Sequence, residues 1–375
     1  AGQGEVLVHG VTMMPGKPVI VGRIAGKPVF GIPGYPVSAI MAYEQMVQPL
    51  IAKWLGQPDP QRPHADVIPT RKIASRLGVE EFVRVKIGRV GDTVVATSLP
   101  RGAGQITSIT EADGIIRIPA HMEGIRADGP VRAELLRSAQ HIARTLVIVG
   151  SHDNTLDLLA DELQAQSTHL SLSSSHVGSM GGLMAIKRGV CHMAGTHLLD
   201  ENDGSYNISY IRKHLKEMDV RLIHLVMREQ GLMVPPGNPK GIRGLEDLAR
   251  EDVRLMNRQG GSGTRILLDY RLKQLEISPD RIHGYRNEEF THMAVAVAVL
   301  SSTADVGLGI YAAAKALGLD FIPVVTEQYD LIIPADYFDS EAIQSFLNVI
   351  NSAAFKQRVD ALGGYHTERT GEVLI

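Results

Sequence analysis

Two stretches in the C-terminal half of the chain combine glycines, hydroxyl side chains and arginines in a way that suits anion binding. The first is Ser-Ser-Ser-His-Val-Gly-Ser at residues 173–179, and the second is Asn-Arg-Gln-Gly-Gly-Ser-Gly-Thr-Arg at residues 257–265. Each pattern predicts the end of a strand and the start of a helix. There, glycines let the backbone approach a ligand while hydroxyls and helix N-terminal amides donate hydrogen bonds. Arg258 and Arg265 add positive charge and bidentate donors.

We therefore expect an oxyanion or phosphate group to lie between a Ser173–Ser175 turn and a Gly261–Thr264 turn, each in its own lobe. Serines that precede helices are also frequent helix caps, so each stretch taken alone has that second explanation. The pairing of the two stretches favours the ligand site. The candidate ligand-binding residues come from both stretches and from the ends of two further strand-like runs: Ser151, Ser173, Ser174, Ser175, Arg258, Gly261, Ser262, Gly263, Thr264 and Tyr311.

Other kinds of chemistry are not indicated by the residue spacing. The fourteen histidines show no HExxH or other paired metal-ligand spacing. Ser175 and His176 are adjacent in sequence, which points their side chains apart and argues against a nucleophile–base pair. Cys191 lies in a strand-like run, where a small apolar role is expected. No catalytic residue and no metal ligand are assigned from the sequence.

Near the N-terminus, two Pro-Gly turns flank a short predicted hairpin. They are Pro15-Gly16, followed by Lys17, and Pro33-Gly34, followed by a run with helical spacing. The second turn opens onto a helix start, which attracts anions, and Lys17 adds a mobile positive charge. The alternative is that both are structural turns beside a solvated lysine.

These N-terminal residues carry a family resemblance. Val-His-Gly-Val at residues 8–11, Pro-Gly-Lys-Pro at 15–18 and Gly-Ile-Pro-Gly-Tyr-Pro-Val-Ser-Ala at 31–39 resemble the MoeA/gephyrin family, which inserts molybdenum into molybdopterin and consumes adenylylated molybdopterin. The resemblance implies Mg²⁺ and molybdopterin for the full-length protein, and a homodimer. It also implies that Lys17, Pro33, Pro36 and Ser38 border the pterin–molybdate pocket. Met14 departs from the family, which usually has a lysine there.

The last part of the chain resembles a different family, the type 2 periplasmic-binding proteins. Residues 258–265 match it best, and the runs at 194–198 and 307–311 fit the same domain. The most similar members are the LysR-like and molybdate- or tungstate-binding domains that some MoeA proteins carry at the C-terminus. The resemblance implies a small-molecule ligand, namely molybdate, tungstate or molybdopterin. The full-length protein is then expected to insert molybdate, and the alternative is a non-catalytic sensor of molybdate, tungstate or the cofactor.

The elements that would position these residues fall into three segments with different sequence patterns, which together predict an α/β protein. Residues 1–55 read as the C-terminal part of a MoeA pterin-binding α/β domain, and residues 66–137 as a small all-β domain of barrel or sandwich type. Residues 144–375 alternate between strand-like and helix-like segments, which predicts a two-lobed α/β ligand-binding domain. We expect the chain to cross between lobes near 230–250 and to return near 325–335, without one continuous sheet through both lobes.

Composition narrows the remaining function classes. The 375 residues are 44% hydrophobic and 21% charged with a formal charge of −3, which is ordinary for a globular protein and gives no basic excess for nucleic acid or a membrane surface. One cysteine excludes an internal disulfide framework. The absence of a signal peptide pattern favours the cytoplasm. The chain lacks an initiating methionine, and we expect it to be part of a longer protein and inactive in molybdate insertion by itself.

Overall fold

A computed structural model describes residues 4–58, 60–127, 129–166, 169–200 and 202–375. The chain divides into two compact units, residues 1–145 and 146–375. Ser167, expected in a surface turn, lies outside the described residues.

The first unit contains eleven strands and four helices among its described residues. The strands are β1 (Gly4–His9), β2 (Met13–Met14), β3 (Ile20–Ile24), β4 (Lys27–Gly31), β5 (His64–Pro69), β6 (Ile73–Ala74), β7 (Glu80–Val90), β8 (Thr93–Ser98), β9 (Gly114–Ile118), β10 (Gly124–Ile125) and β11 (Val131–Leu135). The helices are α1 (Pro36–Ala42), α2 (Gln48–Trp54), α3 (Thr107–Thr110) and α4 (Ala139–Ala143), and a π-helical turn (Tyr43–Val47) joins α1 to α2.

The N-terminal strands form an antiparallel three-stranded sheet in the order β1-β3-β4. The hairpin between β3 and β4 turns at Ala25 and Gly26, both of which adopt positive φ angles. Pro36 starts α1, where its missing N–H costs nothing because the first amides of a helix have no partner within the helix. Helix α2 ends at Trp54, and Gly56 takes the left-handed conformation that is common just after a helix. The proline-rich stretch that follows lies outside the helix.

The β-rich part of the first unit is a closed barrel. Pairings run from β7 to β8, β5, β11 and β9, and β9 then pairs with β7 again. Val83, Val85 and Ile87 alternate along β7 and are fully buried in the barrel core, as their spacing predicts. Closure leaves these five strands without a free edge, which distinguishes a barrel from the sandwich that the sequence left open.

The second unit alternates strands and helices. Its strands are β12 (Thr145–Gly150), β13 (Ser171–His176), β14 (Ala194–Thr196), β15 (Val220–Val234), β16 (Leu255–Arg258), β17 (Glu288–Glu289), β18 (Val306–Ile310), β19 (Asp320–Pro334) and β20 (Tyr365–His366). Its helices are α5 (Asn154–Ala165), α6 (Gly178–Lys187), α7 (Ile208–His214), α8 (Gly263–Gln274), α9 (His292–Leu300), α10 (Tyr311–Ala316), α11 (Ala335–Phe338), α12 (Glu341–Asn351) and α13 (Ala353–Leu362).

Two long antiparallel strands, β15 and β19, join the two lobes of this unit. One end of β19 pairs with β14 in one lobe, and the opposite end of the β15–β19 pair meets β18, which pairs with β15, in the other. The prediction that no sheet runs through both lobes was therefore wrong, because 15-residue strands are long enough to belong to both. The crossing at 220–234 also comes earlier than expected. The Pro235-Pro236-Gly237 break follows the crossing strand and does not itself make the crossing.

Two large buried apolar clusters form the core of the second unit. One buried cluster, which includes Leu232, Leu248, Leu268 and Val306, fills the lobe made by the middle of the unit. A larger cluster extends from Leu146 along α5, α12 and α13 and continues to α9 and α10. The predicted α/β class with a two-lobed second unit is confirmed. Within the described residues, every helix is too short or too polar to span a lipid bilayer.

Candidate functional site

A chain of hydrogen bonds connects three buried side chains of the second unit. Ser151 Oγ lies 2.7 Å from His197 Nε2, and His197 Nδ1 lies 3.0 Å from Glu327 Oε2. Ser151 follows β12, His197 follows β14, and Glu327 lies in the crossing strand β19. Because all three side chains are buried, solvent does not compete for these bonds.

Glu327 is also held by a buried arginine from the other crossing strand. Arg228 of β15 forms ion pairs with Glu327 and with Asp153, and it has no exposed surface. Asp153 caps α5 by accepting the N–H of Thr155 at 2.8 Å, as the sequence predicts, and it also accepts from the hydroxyl of Tyr365 at 3.0 Å. The network therefore ties both crossing strands to the start of α5.

A second arginine, Arg258 at the end of β16, has no such carboxylate partner. Its Nη2 donates to the carbonyl of Phe290 at 3.1 Å and its Nε to Gln259 Oε1 at 3.3 Å. Its Nη1 is buried and has no hydrogen-bond partner among the described residues. Burial, together with the nearby charge of Arg228, lowers the pKa of Arg258 to about 10. A buried cation with an unused donor is costly unless a ligand supplies an anion.

Two further buried polar atoms, at the starts of α8 and α9, lack partners among the described residues. They are Thr264 Oγ1 in the first turn of α8 and His292 Nδ1 at the start of α9. Burial lowers the pKa of His292 well below its usual range, and the charges of Arg258 and Arg228 add to this effect. His292 is therefore neutral at physiological pH, and its unpartnered Nδ1 can act as a donor or as an acceptor according to the tautomer.

Glycines bring these elements close together. A Cβ on Gly263 would lie 2.2 Å from Cε1 of His197, so only glycine lets the start of α8 reach that ring. A Cβ on Gly178, the first residue of α6, would lie 3.4 Å from the carbonyl oxygen of Gly261. A Cβ on Gly309 would lie 3.5 Å from His292 Nδ1. We call the resulting set Ser151, His197, Arg258, Thr264 and His292 the Arg258 cluster.

The structure corrects the predicted Ser173–Ser175 turn. These serines lie inside β13, where successive side chains point to opposite faces, so the three hydroxyls cannot all face one ligand. Ser173 and Ser175 are buried, whereas Ser174 is half-buried on the other face. Within the part of the chain that the structure describes, Ser173 Oγ lacks a hydrogen-bond partner, but it lies roughly 10 Å along the strand from His176. The residue that meets the Gly261 turn is Gly178.

The second predicted turn splits into residues that face the cluster and residues engaged elsewhere. Ser262 is the N-cap of α8: its Oγ donates to the carbonyl of Gln259 at 2.9 Å and accepts from the N–H of Arg265 at 3.2 Å. Its hydroxyl proton is therefore already used. Arg265 lies over the ring of Tyr285 and pairs with Asp269 and Glu288, so it does not contribute the expected charge.

Tyr311 is not brought into the Arg258 cluster. Its ring packs edge-on against Phe321 with centroids 5.2 Å apart, and it lies against Gly363 and Gly364. Gly261 adopts a φ of 81°, which a residue with a side chain rarely takes.

The N-terminal candidate residues lie in the first unit. Lys17 is exposed, Pro33 and Pro36 are half-buried, and Ser38 is buried in α1. A Cβ on Gly16 would lie 3.9 Å from the carbonyl oxygen of Ser38, so the first Pro-Gly turn packs against the helix that follows the second turn. The N–H of Val37 donates to the carbonyl of Ala103 at 3.2 Å, which removes one of the helix-start amides expected to attract an anion.

Sequence reasoning missed most of the charged residues that define the site. His197 was visible only as part of a strand-like run, and His292, Arg228 and Glu327 lie in apolar stretches that read as structural. The one available signal was the presence of charged residues within long apolar strands, since buried charges are rare unless they are paired.

The described residues do not fit the Mg²⁺ that the MoeA resemblance implies. No group of three or more His, Cys, Asp or Glu side chains in this part of the chain is arranged to hold a metal ion. The carboxylates at the site, Asp153 and Glu327, are both already engaged in ion pairs with Arg228. No metal-dependent step is therefore derived for this chain.

Comparison with known proteins places each part of the chain. Residues 160–351, just over half of the chain, match the PBP superfamily domain. Residues 67–136 match the MoeA C-terminal region (domain IV), and residues 1–53 match a probable molybdopterin binding domain.

Similar individual proteins cover these parts separately. The uncharacterized protein YvgK of Bacillus subtilis is 35% identical over 242 residues, covering 64% of this chain and 77% of that protein. The putative molybdopterin biosynthesis protein MJ0666 of Methanocaldococcus jannaschii is 37% identical, covering 36% of this chain and 31% of that protein. A solved MoeA protein from Pyrococcus horikoshii OT3 is 29% identical with a TM-score of 0.30, covering 35% of this chain and 32% of that chain.

The chain thus spans about a third of the length of the molybdopterin proteins that it matches. Its own order of segments is one that matches the probable molybdopterin binding domain, one that matches MoeA domain IV, and a PBP-like unit. The chain belongs to the PBP superfamily-domain proteins, with a MoeA-type segment joined in front of the PBP-like domain.

Proposed function

We propose that the second unit binds a small tetrahedral oxyanion or a phosphate group at the Arg258 cluster. The candidate ligands are molybdate, tungstate and the phosphate of molybdopterin. The observation that carries this proposal is the buried Arg258 Nη1, which has no hydrogen-bond partner among the described residues, where Arg258 also forms no ion pair with a carboxylate.

The neighbouring groups suit an anion. Thr264 Oγ1 offers a second unused donor, and it lies in the first turn of the 12-residue helix α8, whose N-terminal amides carry partial positive charge. Each hydrogen bond to a charged group contributes roughly 1.5–3 kcal/mol, so two or three such donors contribute roughly 3–9 kcal/mol, from which the cost of association is subtracted. Arg258 and Thr264 are almost fully buried, so the ligand enters when the lobes separate about β15 and β19.

For the full-length protein, we propose a role in molybdenum cofactor biosynthesis, with insertion of molybdate into adenylylated molybdopterin. In this scheme the MoeA-type segment contributes Lys17, Pro33, Pro36 and Ser38 to the pterin–molybdate pocket. The second unit then supplies or retains the oxyanion. The protein would act as a homodimer in the cytoplasm.

A non-catalytic sensor is the second candidate, and Met14 favours it. The residue stands where MoeA proteins usually carry a lysine, so one cation beside an anionic substrate is missing. In this scheme the second unit reports the concentration of molybdate, tungstate or cofactor without feeding a reaction.

Titration calorimetry of the chain with molybdate, tungstate, sulfate and phosphate tests the binding proposal. We expect saturable one-to-one binding of at least one of these anions below millimolar concentration. Arg258→Gln should weaken binding at least tenfold, because it removes the buried positive charge. Arg286→Gln is the matched control, because Arg286 is 90% exposed and belongs to the same unit. No binding of any of the four anions, or equal affinity in Arg258→Gln, would reject the proposal.

An insertion assay separates the two roles. We expect no molybdate insertion by this chain alone and insertion by a protein that also carries the remaining MoeA domains. A full-length protein that binds molybdate but never inserts it would support the sensor.

A further inference from the structure

We propose that the Ser151–His197–Glu327 chain makes anion binding depend on one additional proton. A hydrogen-bearing oxyanion brings this proton itself, whereas a fully ionised oxyanion binds only when His197 takes up a proton. The inference rests on the proposed function and specifies which oxyanions the site favours at a given pH.

The argument begins at Glu327. Its carboxylate pairs with the fully buried Arg228 and is therefore ionised, and an ionised carboxylate only accepts hydrogen bonds. The contact of 3.0 Å to His197 Nδ1 then requires the proton of the neutral imidazole to be on Nδ1. Nε2 is left with a lone pair.

The second step concerns Ser151. Its Oγ lies 2.7 Å from His197 Nε2, so its single hydroxyl proton points at the imidazole. Ser151 then presents only lone pairs to any other partner. We call Ser151 Oγ, together with His197 Nε2 behind it, the corner of the site. In the empty site this corner accepts a hydrogen bond and does not donate one.

The corner belongs to the anion site and not to a separate pocket. The imidazole of His197 lies against Gly263, which directly precedes Thr264 at the start of α8. The backbone N–H of His197 donates to Ser179 Oγ at 3.2 Å, which ties the main chain at His197 to the first turn of α6. The imidazole of His197 thus contacts Ser151 and also lies against the start of α8, which joins Ser151 to the other members of the Arg258 cluster.

The groups that face His197 favour its neutral form in the empty site. Burial lowers the pKa of His197, the positive charges of Arg228 and Arg258 lower it further, and Glu327 opposes them. His292 lies close enough to interact with His197 electrostatically, and the ring of Tyr329 stacks at a centroid distance of 6.0 Å. Since the pKa is below the ordinary histidine value of about 6.5, His197 is neutral above pH 7.

Two kinds of oxyanion then behave differently. Hydrogen phosphate can donate its own hydrogen to Ser151 Oγ, so it needs no change at His197. Molybdate and sulfate carry no hydrogen at neutral pH and need a donor at this corner. Ser151 can turn its hydroxyl toward them only if Nε2 of His197 takes up a proton and donates to Oγ in its place.

The sign of the pH dependence follows from this proton. Uptake of one proton on binding makes the affinity for a fully ionised oxyanion fall about tenfold for each pH unit above the pKa of the empty site, as long as the bound imidazole stays protonated. The affinity for hydrogen phosphate changes little over the same range, because the proton stays on the ligand.

The experiment is titration calorimetry of the whole chain with sulfate, molybdate and phosphate at pH 7.5 and 8.5. Each titration is repeated in two buffers of different ionisation enthalpy, which counts the protons exchanged. We expect uptake of about one proton with sulfate and molybdate and an affinity about tenfold lower at pH 8.5, and no uptake with phosphate. His197→Gln should abolish the uptake, because glutamine donates to Ser151 without titrating. Ser151→Ala should also abolish it by removing the corner, and His283→Gln, at an exposed histidine of the same unit, should leave it unchanged.

The outcomes separate this inference from the proposed function. Sulfate or molybdate binding without proton uptake, or uptake that persists in both His197→Gln and Ser151→Ala, would overturn the inference and leave the anion site intact. Binding of phosphate alone supports the inference, because the acceptor corner then excludes ionised anions. Failure of all three anions to bind would reject the proposed function itself.

Discussion

Ser151 Oγ and His197 Nε2, which belong to residues 46 positions apart, lie 2.7 Å from each other at the point where two lobes meet. The order Ser–His–Glu is the one that activates serine in hydrolases. Here the carboxylate is also neutralised by Arg228, and Ser151 is only 6% exposed. These features favour a role for His197 and Glu327 in fixing the direction of the Ser151 hydroxyl.

Gly263→Ala should disrupt this pair. A Cβ at this position would lie 2.2 Å from Cε1 of His197, so the ring or the start of α8 must move. We expect at least a tenfold loss of anion affinity and a destabilisation of about 1–3 kcal/mol, as is typical of overpacking in a buried site. Gly260→Ala is the control, since its Cβ would meet only Glu288 Oε1 at 3.9 Å. Titration calorimetry and chemical unfolding measure the two effects, and equal behaviour of the two variants would contradict the prediction.

Thr264→Val tests the unused hydroxyl. The substitution keeps the shape of the side chain and removes a buried donor that has no partner among the described residues. We expect anion affinity to fall by roughly 5- to 150-fold, or 1–3 kcal/mol, with no loss of stability in the ligand-free protein. Thr303→Val, at an exposed threonine, serves as the control. Unchanged affinity would leave Thr264 as an ordinary residue of a helix start.

Arg228→Met should be far more damaging than removal of a surface cation. Arg228 is fully buried between Asp153 and Glu327, and its loss leaves two buried carboxylates without a partner. We expect a destabilisation of about 3–5 kcal/mol, compared with less than about 1 kcal/mol for Arg254→Met, whose ion pair with Asp305 is largely exposed. Urea unfolding followed by circular dichroism measures the difference. Similar values for the two variants would contradict a structural role for the buried network.

Acid should weaken the second unit through the same carboxylates. Burial raises the pKa of Glu327, but Arg228 and His197 outweigh this effect and lower it to about 2. Burial likewise opposes the lowering of the Asp153 pKa by Arg228 and Thr155. A carboxyl with a depressed folded-state pKa stabilises the fold above its unfolded value of about 4 and loses this contribution as pH falls toward the folded value.

The free energy of unfolding should therefore fall between about pH 4.5 and 2, with Glu327 alone contributing about 3 kcal/mol. Urea unfolding at a series of pH values measures this decline. The Glu327→Gln variant should show a shallower decline, because it has no proton to bind at that position. A decline as steep as that of the parent chain would assign the acid sensitivity to other groups.

Much of the architecture could be read from local patterns. The alternation of Val83, Val85 and Ile87 with polar residues is typical of a strand, and an aspartate such as Asp153 between a strand-like and a helix-like run is typical of a helix N-cap. The glycines and hydroxyls at 257–265 indicated a strand end and a helix start, and these elements are confirmed. Short-range patterns succeed here because periodicity, caps and turns depend on neighbouring residues along the chain.

Serine-rich sequence was less informative. Ser173, Ser174 and Ser175 look like a ligand turn, but strand pairing with β12 places them on alternating faces. Ser262 looks like a ligand residue, but its hydroxyl is used in the N-cap of α8. In both cases a hydroxyl has several possible partners, and local sequence does not determine which one it meets.

The sequence by itself determined the α/β class, the resemblance to two families and the presence of a glycine-rich helix start near Arg258. Only the tertiary structure decided that Arg258 is left without a carboxylate, that Arg228 takes both Asp153 and Glu327, and that His197 joins Ser151 to Glu327. These pairings link residues 75, 99 and 130 positions apart, through two strands that cross between lobes. Charge pairing and burial depend on distances in space, and the crossing of β15 and β19 sets those distances independently of any local pattern.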